Sequence, residues 1–192
     1  MEKLLLASGS SRRKELLDQI GVLYQSASMD IDETVHVNET ASDYVLRLAE
    51  EKAQAGIGVK TDMVVLAADT SVVVAGNILG KPDNAQAAHD MLRQLSGKTH
   101  QVLTGIAMAK QTQGKVSIES QVVVTEVTFS DITDQQIEQY IKTGEPMDKA
   151  GAYGIQGKAA LFVERIQGSY SNVVGLPLAE TGKMLQRFGV PV

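Results

Sequence analysis

The stretch "SGSSRRK", residues 8–14, places Arg12, Arg13 and Lys14 in the first turn of an expected helix. The N-terminal end of a helix carries partial positive charge, so three cations there are opposed unless an anion joins them. A strand, a Ser-Gly-Ser turn and a helix start supply N–H groups, hydroxyls and a dipole that favour an anion. Arg12 and Arg13 suit phosphate in particular, because a guanidinium can give two parallel hydrogen bonds to phosphate oxygens. The plainer alternative is that Ser10 caps the helix and the cations face water. No G-x-x-x-x-G-K-[ST] phosphate loop can be written over these residues.

Lys52 lies seven, four and three residues after Val45, Leu48 and Ala49, on the apolar stripe of its helix. It either snorkels from the stripe's edge or meets an anion. Asp69 ends an apolar run in "LAADT", the place where open α/β sheets carry ligand chemistry. A carboxylate there can bind a divalent metal or take a proton from water, or it can simply cap a turn with Thr70. Asp30, Asp32 and Glu33 offer a further metal ligand or a solvated acidic turn. Lys81, between Gly80 and Pro82, is a phosphate contact or a surface lysine. Gln156, in "YGIQG", presents an amide with one donor and one acceptor side, suited to reading a base edge. His36, His89 and His100 show no zinc-ligand spacing.

These residues need a scaffold. Leu4–Ala7 is expected as a buried strand, Ser11–Ile20 as a helix, and Leu23–Ser28 as a second strand. "ASDYVLRLAEEKAQAGIG" is the clearest helix. In "MVVLAADTSVVVAGNILGKP" the pattern predicts a strand over 63–68 broken at Asp69-Thr70, a second at 72–75, and a hairpin turn at Gly76-Asn77. A helix over 84–95 follows, then two long strands around 101–110 and 116–129. A short helix over 133–141, a glycine-rich segment, a strand near 161–166 and a helix near 178–188 complete the chain. No repeat or linker divides it. Alternating strands and helices with hairpins between them predict an α/β fold with a mixed sheet.

The chain has 192 residues, enough for a full core. A net charge of -5 argues against a general nucleic-acid binder, and an aromatic content of 4% leaves few platforms for stacking bases. A basic pocket for one phosphorylated molecule remains compatible with that charge, since a pocket is local. There is no cysteine, so thiolate chemistry is excluded. With no signal-peptide core at the N-terminus and no long apolar span, the protein is expected to be cytoplasmic and outside the membrane.

The blocks "LLLASGSSRRKELLDQIG", "VLRLAEEKA", "AADTSVVV", "LGKP", "LSGKTHQVLTG", "GEPMDKAGAYGIQG" and "VVGLPL" resemble the Maf family of nucleoside triphosphate pyrophosphatases across nearly the whole chain. The resemblance implies a single Maf-like domain over 1–192. It also implies an α/β fold akin to that of ITPases, an extended mixed sheet and a cleft between two lobes. It implies hydrolysis of a nucleoside triphosphate to the monophosphate and pyrophosphate with a divalent cation, Mg2+ or Mn2+, and a possible homodimer. By position, Ser8, Arg12 and Arg13 match the family's phosphate-binding turn, and Glu33, Lys52 and Lys81 match polar residues of its cleft. Asp69 matches the proton acceptor, while Arg12, Thr70 and Gln156 match positions tied to substrate choice; the metal is expected to be shared between Asp69 and Glu33, with Lys52 neutralising the triphosphate. The forms found here resemble members that prefer dTTP and UTP. Ser11 stands where the family usually has proline, which fits a first helical position because its φ is preset.

The expected function is therefore metal-dependent hydrolysis of dTTP and UTP, with modified pyrimidine triphosphates as further substrates. The rival is a nucleotide-binding regulator of cell division with slow hydrolysis. Such a sensor needs the cations but gains nothing from a carboxylate beside a triphosphate.

Overall fold

The computed structural model describes residues 2–192. The first strand, β1 (Leu4–Leu6), leads through a turn into α1 (Ser11–Gln19) and β2 (Tyr24–Ser26). The long helix α2 (Ala41–Val59) precedes β3 (Val64–Val74), β4 (Asn77–Leu79) and α3 (Ala85–Leu95). Two long strands follow, β5 (Thr99–Thr112) and β6 (Lys115–Phe129), then α4 (Asp134–Ile141) and three short 3-10 segments between Glu145 and Phe162. β7 (Val163–Gln167), α5 (Tyr170–Val174) and α6 (Leu178–Arg187) end the chain. The strands form a seven-stranded sheet in the order β2-β1-β3-β5-β6-β7, with β4 paired to β3. β1 is parallel to β2 and β3, whereas β3–β4 and β6–β7 are antiparallel, so the sheet is mixed as expected.

Two expectations for the third strand fail. β3 runs unbroken through Asp69 and Thr70, so Asp69 is mid-strand rather than at a strand end. It nevertheless lies beyond Leu66, the last residue of β3 in register with β1, and so past the carboxyl end of the parallel pair. The hairpin turn is Ala75-Gly76, not Gly76-Asn77: Asn77 pairs with Val74, and Ala75 and Gly76 both have positive φ, 49° and 80°. Two positive φ values define the tight turn whose twist matches its strands. This register also sets buried Val72 opposite buried Leu79, and a slip of one residue would turn one of them outward.

The chain divides into two compact units, and the division falls inside β3, β5 and β6. One holds the N-terminal segment through Asp69 together with Thr104–Val123 and Gly175–Val192; the other holds Thr70–Leu103 and Val124–Val174. The core of the first packs α2 onto one face of the strands. Ala49, Ala53 and Ile57 of the helix meet Leu5 and Ala7, Val65 and Ala67, and Ala107 and Ala109. The small residues allow a close approach, and two glycines enforce it. A Cβ on Gly105 would lie 2.2 Å from the Val45 carbonyl oxygen, and one on Gly56 would lie 2.5 Å from Val65 Cγ1.

The second unit is centred on aromatic rings. Phe129 makes edge contacts with His100, Tyr153 and Phe162, and Tyr140 meets Phe162 in the same way. Its helices are well capped: Asn84 accepts from the Ala87 N–H at the start of α3, and Thr133 and Gln136 form a reciprocal capping box on α4.

Candidate active site

Side chains alternate along a strand, so Val65, Ala67 and Asp69 point to the same face of β3, the face that α2 covers. The buried stripe of α2 runs Val45, Leu48, Ala49, Lys52, Ala53, Gly56 and Ile57, at helical spacing. Apolar contacts thus fix helix and strand, and the one polar residue of each stripe is carried toward the other. Lys52 Nζ donates to Asp69 Oδ1 at 2.7 Å and pairs with Glu33 Oε1, also at 2.7 Å. Of its two possible roles, Lys52 takes the one that meets anions. Its side chain is 11% exposed and that of Asp69 14%, so this pair is only lightly screened by water, whereas Glu33 is 53% exposed.

The turn after β1 belongs to the same unit. Buried Ser8 accepts hydrogen bonds on Oγ from Arg13 Nη1 (3.1 Å) and from the Ser10 N–H (3.2 Å). Arg13 Nε donates to the Gly175 carbonyl at 2.8 Å, which ties the start of α1 to the loop before α6. Ser10 precedes α1 without a side-chain capping bond, so the plainer alternative of a Ser10 cap is not seen. Ser11 takes the first helical position, the one proline would fill. Burial pulls the Arg13 guanidinium below its ordinary pKa, helped by Arg12, while the Asp69 and Glu33 carboxylates act the other way. Arg12, Arg13, Glu33, Lys52 and Asp69 therefore share one local field, with three cations against two carboxylates.

Of the acidic loop, Glu33 joins this cluster. Asp32 instead turns back on its own chain, accepting from the Thr34 N–H at 2.9 Å, and that bonding lowers its pKa. Thr70, Lys81 and Gln156 fall in the second unit. Lys81 is exposed beside Gly80, whose carbonyl accepts from the Gly151 N–H. Gln156 is exposed at the tip of a turn closed by the bond from the Gly157 N–H to the Gly154 carbonyl. The flanking glycines have a structural cause. A Cβ on Gly157 would lie 2.2 Å from Glu145 Oε1, and one on Gly154 would lie 2.6 Å from Lys149 Cε. The space a side chain would need at these glycines is filled by the protein's own Glu145 and Lys149.

The pattern of the sequence did not single out Tyr44 and Arg47, whose spacing on α2 places them one turn apart. Tyr44 Oη donates to the Glu33 carbonyl at 2.8 Å, and Arg47 Nη2 donates to the Thr34 carbonyl at 3.0 Å. Their partners lie in a loop without regular structure, which no periodicity marks. The Arg47–Glu51 spacing of four was the one available signal.

Among the described residues no group of three His, Asp or Glu side chains is placed to hold a metal ion. The donor set does fit Mg2+ or Mn2+ completed by other oxygens: two carboxylates converge on a single cation, Lys52, and Mg2+ takes one or two carboxylates along with water and substrate phosphates. Among the described residues no helix is long and apolar enough to cross a membrane.

An α/β protein with a mixed open sheet, and cations and carboxylates gathered past the end of its parallel strands, is the class that fold and site define. The chain belongs to the Maf-like protein family, whose model matches residues 3–188. A protein of Hahella chejuensis named dTTP/UTP pyrophosphatase is 50% identical over an alignment of 193 positions, which spans 99% of this chain and 94% of its own. A Shigella sonnei protein of the same name is 51% identical, covering 98% and 94%. One from Colwellia psychrerythraea is 52% identical, covering 98% and 89%. Among solved structures, that of the Staphylococcus aureus Ham1 protein superposes with a TM-score of 0.52 over 97% of this chain and 100% of its own. At 15% identity that likeness shows the fold alone.

Proposed function

We propose that this protein hydrolyses dTTP and UTP to the nucleoside monophosphate and pyrophosphate, as the names of its relatives at about 50% identity indicate. The observation that carries the chemistry is the convergence of Asp69 and Glu33 on Lys52. A pure nucleotide sensor has no use for two carboxylates beside a triphosphate, whereas a phosphoanhydride hydrolase needs an acceptor for the proton of water.

Phosphoryl transfer rests mainly on positioning and charge stabilisation. Arg12 and Arg13 pair with phosphate oxygens at the start of α1, and Ser8 orients Arg13 from below. Asp69 orients the attacking water and takes its proton. Lys52 neutralises charge that develops on the transferred group. Asp69 and Glu33 would hold the divalent cation, which supplies charge neutralisation and a more acidic bound water. Gln156 and Thr70 select the base: an amide matches the carbonyl and N3–H of uracil or thymine, and a purine would leave such groups unpaired. Lys81 contributes a further phosphate contact.

The deciding experiment measures pyrophosphate release from dTTP, UTP, CTP, ATP, GTP and 7-methyl-GTP, with Mg2+, Mn2+ or EDTA. Metal-dependent release concentrated on dTTP and UTP is the expected result. Release from 7-methyl-GTP alone would overturn the substrate assignment, and binding without release from any nucleotide would overturn the enzyme.

A further inference from the structure

The loop between β2 and α2 carries Glu33 to Lys52, yet the Glu33 side chain is more than half exposed, so packing does not set its position. What the structure provides instead is a set of polar ties from one side of α2. Tyr44 Oη takes the Glu33 carbonyl and Arg47 Nη2 takes the next one, that of Thr34. Two successive carbonyls are thus fixed from residues one helical turn apart. The guanidinium that does this is itself held. Arg47 forms a fork on Glu39, Nε to Oε1 at 2.6 Å and Nη2 to Oε2 at 2.9 Å, and Nη1 reaches Glu51 Oε1 at 3.3 Å.

Glu39 Oε2 also accepts from the His36 N–H at 2.9 Å, which closes the far end of the loop onto the same fork. The Arg47 guanidinium lies 5.6 Å from the centre of the Tyr44 ring, so the two residues brace each other. A planar fork resists rotation in a way an ammonium does not. The hydrogen bonds from Arg47 hold the Glu39 carboxyl down at about 2, so the fork stays charged across the neutral range.

We infer that Tyr44 and Arg47, with Glu39, are positioning residues that hold Glu33 in place against Lys52 and thereby complete the carboxylate pair. The inference deepens the proposed hydrolase and rests on it for its kinetic consequence. Tyr44 and Arg47 act through the backbone of Glu33 and Thr34, whose carbonyls they hold. Holding a carboxylate to within a fraction of an ångström is what separates a present site from a working one.

The test uses Arg47→Met, Arg47→Lys, Tyr44→Phe and Glu33→Gln in the full chain. In Arg47→Met, amide hydrogen exchange over residues 33–39 is expected to speed up at least about tenfold, with α2 unchanged. kcat is expected to fall about tenfold and the Mg2+ concentration for half activity to rise by a similar factor, while KM moves about twofold or less. Arg47→Lys keeps the charge without the fork and is expected to recover little of this; Tyr44→Phe is expected to show a smaller loss of the same kind. Because the effect passes through Glu33, the double variant Glu33→Gln with Arg47→Met should be no slower than Glu33→Gln alone. Full additivity of the two substitutions, or unchanged exchange over 33–39 in both Arg47→Met and Tyr44→Phe, would overturn the inference. If wild-type protein releases pyrophosphate from no nucleotide, the function fails instead, and the exchange data still decide whether the loop is held as described.

Discussion

Lys52 is the hinge of the site's electrostatics, because its ammonium lies between two carboxylates that would otherwise repel each other. Lys52→Met keeps the length of the stem and removes the charge. Leaving a lightly hydrated Asp69 beside Glu33 should destabilise the fold by about 2 kcal/mol, less than breaking a fully buried pair because Glu33 is half solvated. Added Mg2+ is expected to restore part of that loss, a comparison made by thermal melts with and without the metal. Asp69→Asn separates chemistry from binding. It should lower kcat by about 10²–10⁴-fold with nucleotide affinity held within a few-fold, measured by pyrophosphate release and calorimetry. Full activity in that variant would remove Asp69 from the reaction.

At the scale of elements, the site depends on how closely α2 approaches the strands beneath it. Gly105→Ala would push a methyl group against the Val45 carbonyl, which is backbone and cannot rotate away. A loss of about 2–3 kcal/mol is expected from denaturant melts, with activity falling further than stability because Lys52 moves away from Asp69. In the other unit, His100 is buried between Phe129 and Tyr153. Its Nε2 shares a hydrogen bond with the Tyr153 hydroxyl, and its Nδ1 is buried with no partner.

The charged imidazole would carry its Nδ1–H without a partner, and burial lowers the His100 pKa to about 4. Between that value and the ordinary 6.5 the unfolded chain binds a proton that the folded one does not. Stability is therefore complete above pH 6.5 and declines as the pH falls toward 4, by up to about 3 kcal/mol. The slope of Tm between pH 6.5 and 4.5 should flatten in His100→Gln; an unchanged slope would assign the titration elsewhere.

For the whole molecule, a net charge of -5 and an anionic substrate are reconciled by local clustering of Arg12, Arg13 and Lys52 in one unit. Of the residues expected to choose the base, Thr70 and Gln156 belong to the other, while Arg12 lies with the cations. Catalysis and selectivity should therefore separate at Gln156. Gln156→Ala is expected to shrink the preference for UTP over GTP while the kcat for UTP falls less than tenfold. An unaltered UTP/GTP ratio from competition assays would mean that another group reads the base.

Much of this was legible in the sequence, because it rests on local rules. Helical spacing fixes which face of α2 is buried and puts Lys52 on it; the end of the apolar run in "LAADT" marks Asp69 as an acid beside a buried strand. Small residues and hydroxyls after β1 mark the turn at Ser8. The tertiary structure alone decided which of these faces meet. Only packing shows that β3 continues through Asp69, where Lys52 answers its charge. Only packing shows that Glu33, and not Asp32, completes the cluster, and that Tyr44 and Arg47 secure the loop bringing it there. The reason is range. Periodicity and turn chemistry act over a few residues, whereas an exposed carboxylate on an irregular loop is placed by hydrogen bonds to a helix eleven to thirteen residues away.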